Sequence, residues 1–144
     1  MNPTLTAEQR FGVLDVIARY ATALDRRDWA IFRSAFTDDR DISYEGLGEW
    51  QNLDDFTTYM VEIHARCGNS LHRLSNEVME LRGERVHTRT YVDALVLNPD
   101  NQSGYRSNGF YDDEIVAVDD GWKIARRRFT MVLATTEAGM TSGA

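Results

Sequence analysis

Residues 70–97 read S-L-H-R-L-S-N-E-V-M-E-L-R-G-E-R-V-H-T-R-T-Y-V-D-A-L-V-L. The hydropathy alternates with period two, the pattern of a strand with one buried face. From Leu71 to Leu81 this places His72, Leu74, Asn76 and Val78 on one face. R-G-E-R at 82–85 is a tight hairpin connection. In Val86–Leu97 the even positions Val86, Thr88, Thr90, Val92, Ala94 and Val96 form the more apolar side. Two long strands joined so closely pair antiparallel.

The alternation continues downstream. N-P-D-N-Q-S-G is a turn-rich loop, Tyr105–Val118 a third strand, Asp119-Asp120-Gly121 a hairpin turn, and Trp122–Ala134 a fourth strand. That last strand changes phase. Trp122 and Ile124 are apolar on even positions, whereas Phe129, Met131 and Leu133 are apolar on odd ones. The switch predicts a bulge near Ala125–Arg127, which would re-aim one arginine inward.

Upstream the period is helical. Thr6 and Gln9 form a capping-box pair, so a first helix begins at Ala7 and runs to about Arg26. Phe11, Leu14, Ala18 and Ala21 step by three and four, and the next member of that series is Asp25. A carboxylate on a core stripe requires a partner. Alternatively, the helix ends there and Asp25 turns to solvent beside Arg26 and Arg27. Asp28 caps a short second helix carrying Trp29, Phe32 and Phe36, and Thr37–Arg40 reads as a polar turn. Asp41–Glu45 is a short strand with Ile42 and Tyr44 on one face. Asn52 caps a third helix with the stripe Leu53, Phe56, Met60, Ile63 and Cys67, which leaves His64 on its polar edge.

Helices in front and a strand meander behind define an α+β layer fold. The 144 residues, 42% hydrophobic and 27% charged, make one domain over 1–134. Residues 135–144 read as a flexible tail or a strap on a neighbouring subunit. A net charge of −7 argues against nucleic acid or an anionic membrane as partner. A single cysteine forms no intrachain disulfide and fits a cytoplasmic setting. The first ten residues show neither a signal peptide nor a membrane span.

The three histidines lack metal-ligand spacing, and no nucleotide-binding loop or nucleophile elbow occurs, so no metal or cofactor is expected. His72 points toward the core, either as a satisfied structural histidine or as the partner of Asp25. A carboxylate on one ring nitrogen fixes the tautomer and raises the basicity of the other, which makes a general-base dyad. Asn76, on the same face, can orient the ring or a substrate oxygen. Tyr20 lies about 140° round the helix from Asp25 and reads as an edge-of-core residue unless the pocket wraps the helix. Tyr44 offers a second phenol for polarising a carbonyl or a leaving group. Arg127, in competition with Arg126 and Arg128, would bind an oxyanion or a leaving group if the bulge turns it inward.

The stretches R-Y-A-T-A-L-D-R-R-D-W, Y-E-G-L-G-E-W, L-H-R-L-S-N-E-V-M-E-L-R-G and D-G-W-K-I-A-R-R-R-F together resemble a SnoaL-like domain of the nuclear transport factor 2-like superfamily. Its characterised members include small cofactor-free lyases: hexachlorocyclohexane dehydrochlorinase, scytalone dehydratase and bile-acid 7α-dehydratase. The resemblance implies a cone-shaped curved antiparallel sheet wrapped around three helices, with the site inside. It assigns the Asp–His pair to Asp25 and His72, phenol roles to Tyr20 and Tyr44, and the pocket arginine to Arg127. Lining positions fall at Ile42, Ile63, Cys67, Val92, Tyr111, Phe129 and Met131. It further implies a small hydrophobic, cyclic substrate and a homo-oligomer, dimer or trimer. Elimination is the leading reaction, with isomerisation, cyclisation or simple ligand binding as alternatives. The chain departs from scytalone dehydratase in having no histidine after His87.

Overall fold

A computed structural model describes residues 4–140, with Asp39 and Arg40 described by their backbone alone. Helix α1 spans Ala7–Arg26 and α2 spans Trp29–Ser34. Strand β1 (Phe36–Tyr44) and β2 (Gly48–Asn52) precede α3 (Leu53–Ala65). Four long strands follow: β3 (Ser70–Arg82), β4 (Arg85–Leu97), β5 (Ser103–Val118) and β6 (Gly121–Ala138). The sheet order is β2-β1-β6-β5-β4-β3. Neighbours are antiparallel except β1 and β6, which run parallel, so the sheet is mixed rather than purely antiparallel. Among the described residues, no helix is long and apolar enough to cross a membrane.

The capping box at Thr6 and Gln9 starts α1 at Ala7. The core stripe of this helix differs from the one expected. Phe11 is 70% exposed and Ala18 is exposed, while Val13, Val16, Ile17, Tyr20 and Leu24 are buried. The buried stripe lies on a neighbouring face, so Asp25 falls on its flank instead of in its line. Tyr20 is correspondingly at the centre of the core, fully buried, and not at its edge. Gly12 lets α1 approach the sheet closely. A Cβ there would lie 2.5 Å from the Trp122 ring.

Thr37–Arg40, expected as a turn, is strand. The chain pairs with β6 from Phe36 onward and then folds back as the short β2. Gly46, at φ 80°, serves the turn between them.

Two irregularities set which side chains face inward. Ala125 is the extra residue between the pairs Glu114↔Arg126 and Ile115↔Ile124, so Ile124 and Arg127 both point into the core. On β3 the register shifts between Ser75 and Val78, and Asn76 adopts φ 56°. His72 and Leu74 therefore face inward before the bulge, and Met79 and Leu81 pack on the core after it. Asn76 is exposed and Val78 is 67% exposed, so neither shares the His72 face. Strand β6 continues through Thr135–Ala138, pairing as far as Ser103↔Ala138. The expected tail thus begins as strand, and residues 141–144 lie outside the described residues.

Candidate active site

The polar groups inside this fold sit at two levels. The first lies where α1 ends against the start of β3. Arg27 closes α1 in the left-handed conformation, φ 57°. Asp25, in the last turn, meets Ser70 and His72 at the start of β3. The His72 backbone N–H donates to Asp25 Oδ2 at 2.8 Å, and the His72 ring Nδ1 lies 2.7 Å from Oδ1. Ser70 Oγ donates to Oδ1 at 2.8 Å. Because a carboxylate only accepts, Nδ1 carries a hydrogen and the basic nitrogen of neutral His72 is Nε2. The side chains are 9% (His72) and 16% (Asp25) exposed. Burial pushes the Asp25 carboxyl up, but the bonds from His72 and Ser70 outweigh it and hold the group below its ordinary value. Asp25 thus stays ionised and His72 keeps a single tautomer.

Three further residues belong to this level. Arg27 Nη1 donates to Ser70 Oγ at 2.8 Å and to Leu24 O at 2.9 Å, and Nη2 donates to Gly68 O at 2.7 Å. His64 is buried, not on a polar edge, with Nδ1 2.8 Å from Met60 O and its ring against Trp29. Burial pushes His64 down to about 4, and the nearby Arg27 and His72 add to that. Two of the three had a sequence signal. Ser70 lies two residues before His72 on the same strand face, and Phe56, Met60 and His64 step by four along α3. Arg27 had none, because its position depends on an αL turn that arginine does not announce.

The second level is deeper. Arg127 and Asp113 form a bidentate pair, Nε–Oδ1 2.8 Å and Nη2–Oδ2 2.9 Å, with both side chains fully buried. The guanidinium lies 3.8 Å from the Tyr111 ring centroid and 4.1 Å from that of Tyr20. Its Nη1 donates to the Tyr44 hydroxyl at 3.3 Å, which is 2.7 Å from the Tyr20 hydroxyl. Burial opposes the guanidinium charge, but Asp113 outweighs it and holds Arg127 above its ordinary value. Burial pushes Tyr20 and Tyr44 well up, so both remain neutral phenols.

Register separates the levels. His72 is opposite Ala94 and Tyr111 is opposite Thr90. The four-residue step along β4 is about 13 Å. Tyr20, Tyr44 and Arg127 were expected beside the Asp–His pair, but their polar groups are bonded to one another instead. Ile42, Val92, Tyr111 and Phe129 face inward as expected, within a packed cluster. Phe129 packs at a tilt 5.5 Å from Tyr111 and 5.6 Å from Tyr44, measured between ring centroids. Rings fill this level where an open cavity was expected. Ile63 packs on the core from α3. Cys67 is half-buried past the end of α3, its thiol 3.3 Å from Ile63 O. Met131 is 37% exposed and stands outside the core cluster. Beside the first level, a depression of about 400 Å³ is lined by Asp25, Asn69, Ser70, Leu71, Leu95 and Leu97.

A helix-filled curved sheet of this kind defines a class, the cystatin-like or nuclear transport factor 2-like fold. Solved structures that overlay it include the Kfla4162 protein of Kribbella flavida, at TM-score 0.82 and 22% identity over 89% of this chain and 93% of that one. Another is hexachlorocyclohexane dehydrochlorinase LinA, type 2, at TM-score 0.79 and 18% identity over 94% and 93%. At these identities the likeness is one of fold. Within that class the chain belongs to the SnoaL-like domain family, whose profile matches residues 6–128. An uncharacterized Mycobacterium tuberculosis protein, Rv2910c, is 27% identical over 131 residues, covering 82% of each chain. The fold neighbours of the family thus include an enzyme.

Proposed function

We propose that this protein is a cofactor-independent lyase acting on a small hydrophobic, cyclic substrate. The observation that carries the reading is the 2.7 Å contact between His72 Nδ1 and an Asp25 carboxylate that two other donors also hold. That arrangement leaves Nε2 as the base. His72 Nε2 takes a proton from a substrate carbon, and the C–H electrons form the new double bond. The leaving group departs from the adjacent carbon with its bonding pair, as halide or, with a proton returned by the imidazolium, as water. Asp25 stays ionised and stabilises the imidazolium while it exists. A base positioned in this way contributes about 10²–10⁴-fold. The dehydrochlorinase fold neighbour makes halide elimination the first chemistry to assay.

The test is a panel of cyclic halides and β-hydroxy carbonyl compounds, scored by product mass. Elimination lowers the mass by HX or water, whereas isomerisation by the same dyad leaves it unchanged. His72→Ala is expected to lose about 10²–10⁴-fold in kcat. Full activity in both His72→Ala and Asp25→Asn would rule the dyad out.

One observation favours a second reading, a small-molecule-binding protein without turnover. The deep level is filled by its own rings. In that case His72→Ala changes stability or affinity and no compound of the panel is converted. Either reading takes the outer sheet face, with Leu71 50% and Tyr91 51% exposed, as the contact of a dimer or trimer. Sedimentation of Tyr91→Glu against the parent protein checks it.

A further inference from the structure

We propose that Arg27, whose charge Ser70 holds one hydroxyl from Asp25, is a positioning residue that sets the basicity of His72. The inference rests on the dyad reading and extends it by two residues. The direction of the hydrogen-bond chain is fixed by donor inventory. A guanidinium has no acceptor, so the 2.8 Å contact from Arg27 Nη1 occupies a lone pair of Ser70 Oγ. The one proton of Ser70 is then left for Asp25 Oδ1, 2.8 Å away. The chain reads Arg27 to Ser70 to Asp25 to His72 with every donor and acceptor assigned.

Three features show that this geometry is built. Arg27 occupies an αL position, φ 57°, where glycine is the unstrained residue. Its side chain is nonetheless pinned at both Nη atoms, by Leu24 O, Ser70 Oγ and Gly68 O. Ser70 is itself buried, at 5% exposure, so no water competes freely for its hydroxyl. The guanidinium makes no direct ion pair with Asp25. It places a fixed positive charge one hydroxyl beyond the carboxylate.

The consequence for His72 has a definite sign. A nearby positive charge disfavours the imidazolium, and drawing the Ser70 proton onto Asp25 weakens that carboxylate's hold on the ring. Arg27 therefore keeps the ring a weaker base than Asp25 alone would make it. Other groups face His72 from three elements. Asp25 and Arg27 come from α1, His64 comes from α3, and β4 presents Ala94 opposite.

The experiment needs no substrate. The full chain, labelled at histidine, is titrated by NMR as wild type, Arg27→Met, Arg27→Gln and Arg27→Lys, each in a His64→Gln background so that His72 is read alone on this face. The midpoint of the His72 ring is expected to rise by about half a unit to one unit in Arg27→Met and Arg27→Gln. In Arg27→Lys, which keeps the charge, it should stay near that of the Arg27 background. Arg27→Gln retains a donor for Ser70 and serves where Arg27→Met does not fold. Unchanged midpoints in the folded neutral variants would overturn the proposal, as would equal midpoints in Arg27→Lys and Arg27→Gln. Loss of the dyad reading shows separately, as full activity in His72→Ala, and leaves the titration result standing.

Discussion

Two polar clusters built from similar groups occupy this fold in opposite physical states. At the deep level each guanidinium nitrogen of Arg127 donates, to Asp113 or Tyr44, behind fully buried rings. At the outer level Asp25 is equally well bonded, but His72 spends only one ring nitrogen on it. A saturated cluster holds a core in place. A cluster with one basic nitrogen left over can do chemistry. The deep level is packed as structure, and the outer one is where we propose the site.

The largest effect should come from the deep pair. Arg127→Ala leaves Asp113 as a buried unpaired carboxylate and is expected to destabilise by about 3–5 kcal/mol in denaturant unfolding. Replacing both partners by apolar residues, Arg127→Met with Asp113→Leu, should recover much of that loss. A small effect of Arg127→Ala would mean the deep cluster is solvated, and the contrast between levels would collapse.

Next comes the pH dependence of stability, which His64 dominates between its two values. Its folded value is depressed from 6.5 to about 4. Across that window the unfolded chain binds the proton and the folded chain does not, so stability is full above about 6.5 and falls as the pH drops toward 4. A depression of this size amounts to about 3 kcal/mol. His64→Gln should flatten this slope. Asp25 acts lower. Its folded value lies below 3.8, so its contribution is present above that pH and is lost as pH falls through the folded value. An unaltered slope in His64→Gln would place the histidine in solvent.

Tyr44→Phe removes a hydroxyl shared by Tyr20 and Arg127. It should destabilise by about 1 kcal/mol while leaving turnover within about twofold, because the phenol sits a level below the base. A loss in kcat of about 10²-fold would join the two levels into one site. The smallest effect is expected from Asn76→Gly, at a bulge with φ 56°, where stability should change by less than about 0.5 kcal/mol and activity not at all.

What the sequence carries of this picture follows from how local each signal is. The capping box, the helix-three cap and the alternation of β4 are short-range patterns, and the structure has each where the pattern puts it. The Ala125 bulge was legible because a change of hydrophobic phase records it directly. The β3 bulge was hidden. Leu74 and Val78 keep one apparent phase across it, and the αL residue is an asparagine that a regular strand would also accommodate. The α1 stripe was misplaced because Phe11 is apolar yet lies 70% exposed, which no residue type excludes. At the site, residue chemistry singled out Asp25 and His72, since a carboxylate and an inward imidazole each need a partner. The separation of Tyr20, Tyr44 and Arg127 from them was not legible, because it depends on strand register and on Asp113, which reads as one more acidic residue in D-D-E.

The central claim is that His72 presents a basic Nε2 because Asp25 holds Nδ1–H. The most direct measurement is the ¹⁵N shifts of the His72 ring in the neutral state, in the parent chain and in Asp25→Asn. The account predicts a protonated Nδ1 and a pyridine-like Nε2 in the parent chain, with that preference weakened in Asp25→Asn. A ring protonated at Nε2, or one indifferent to Asp25→Asn, would contradict it.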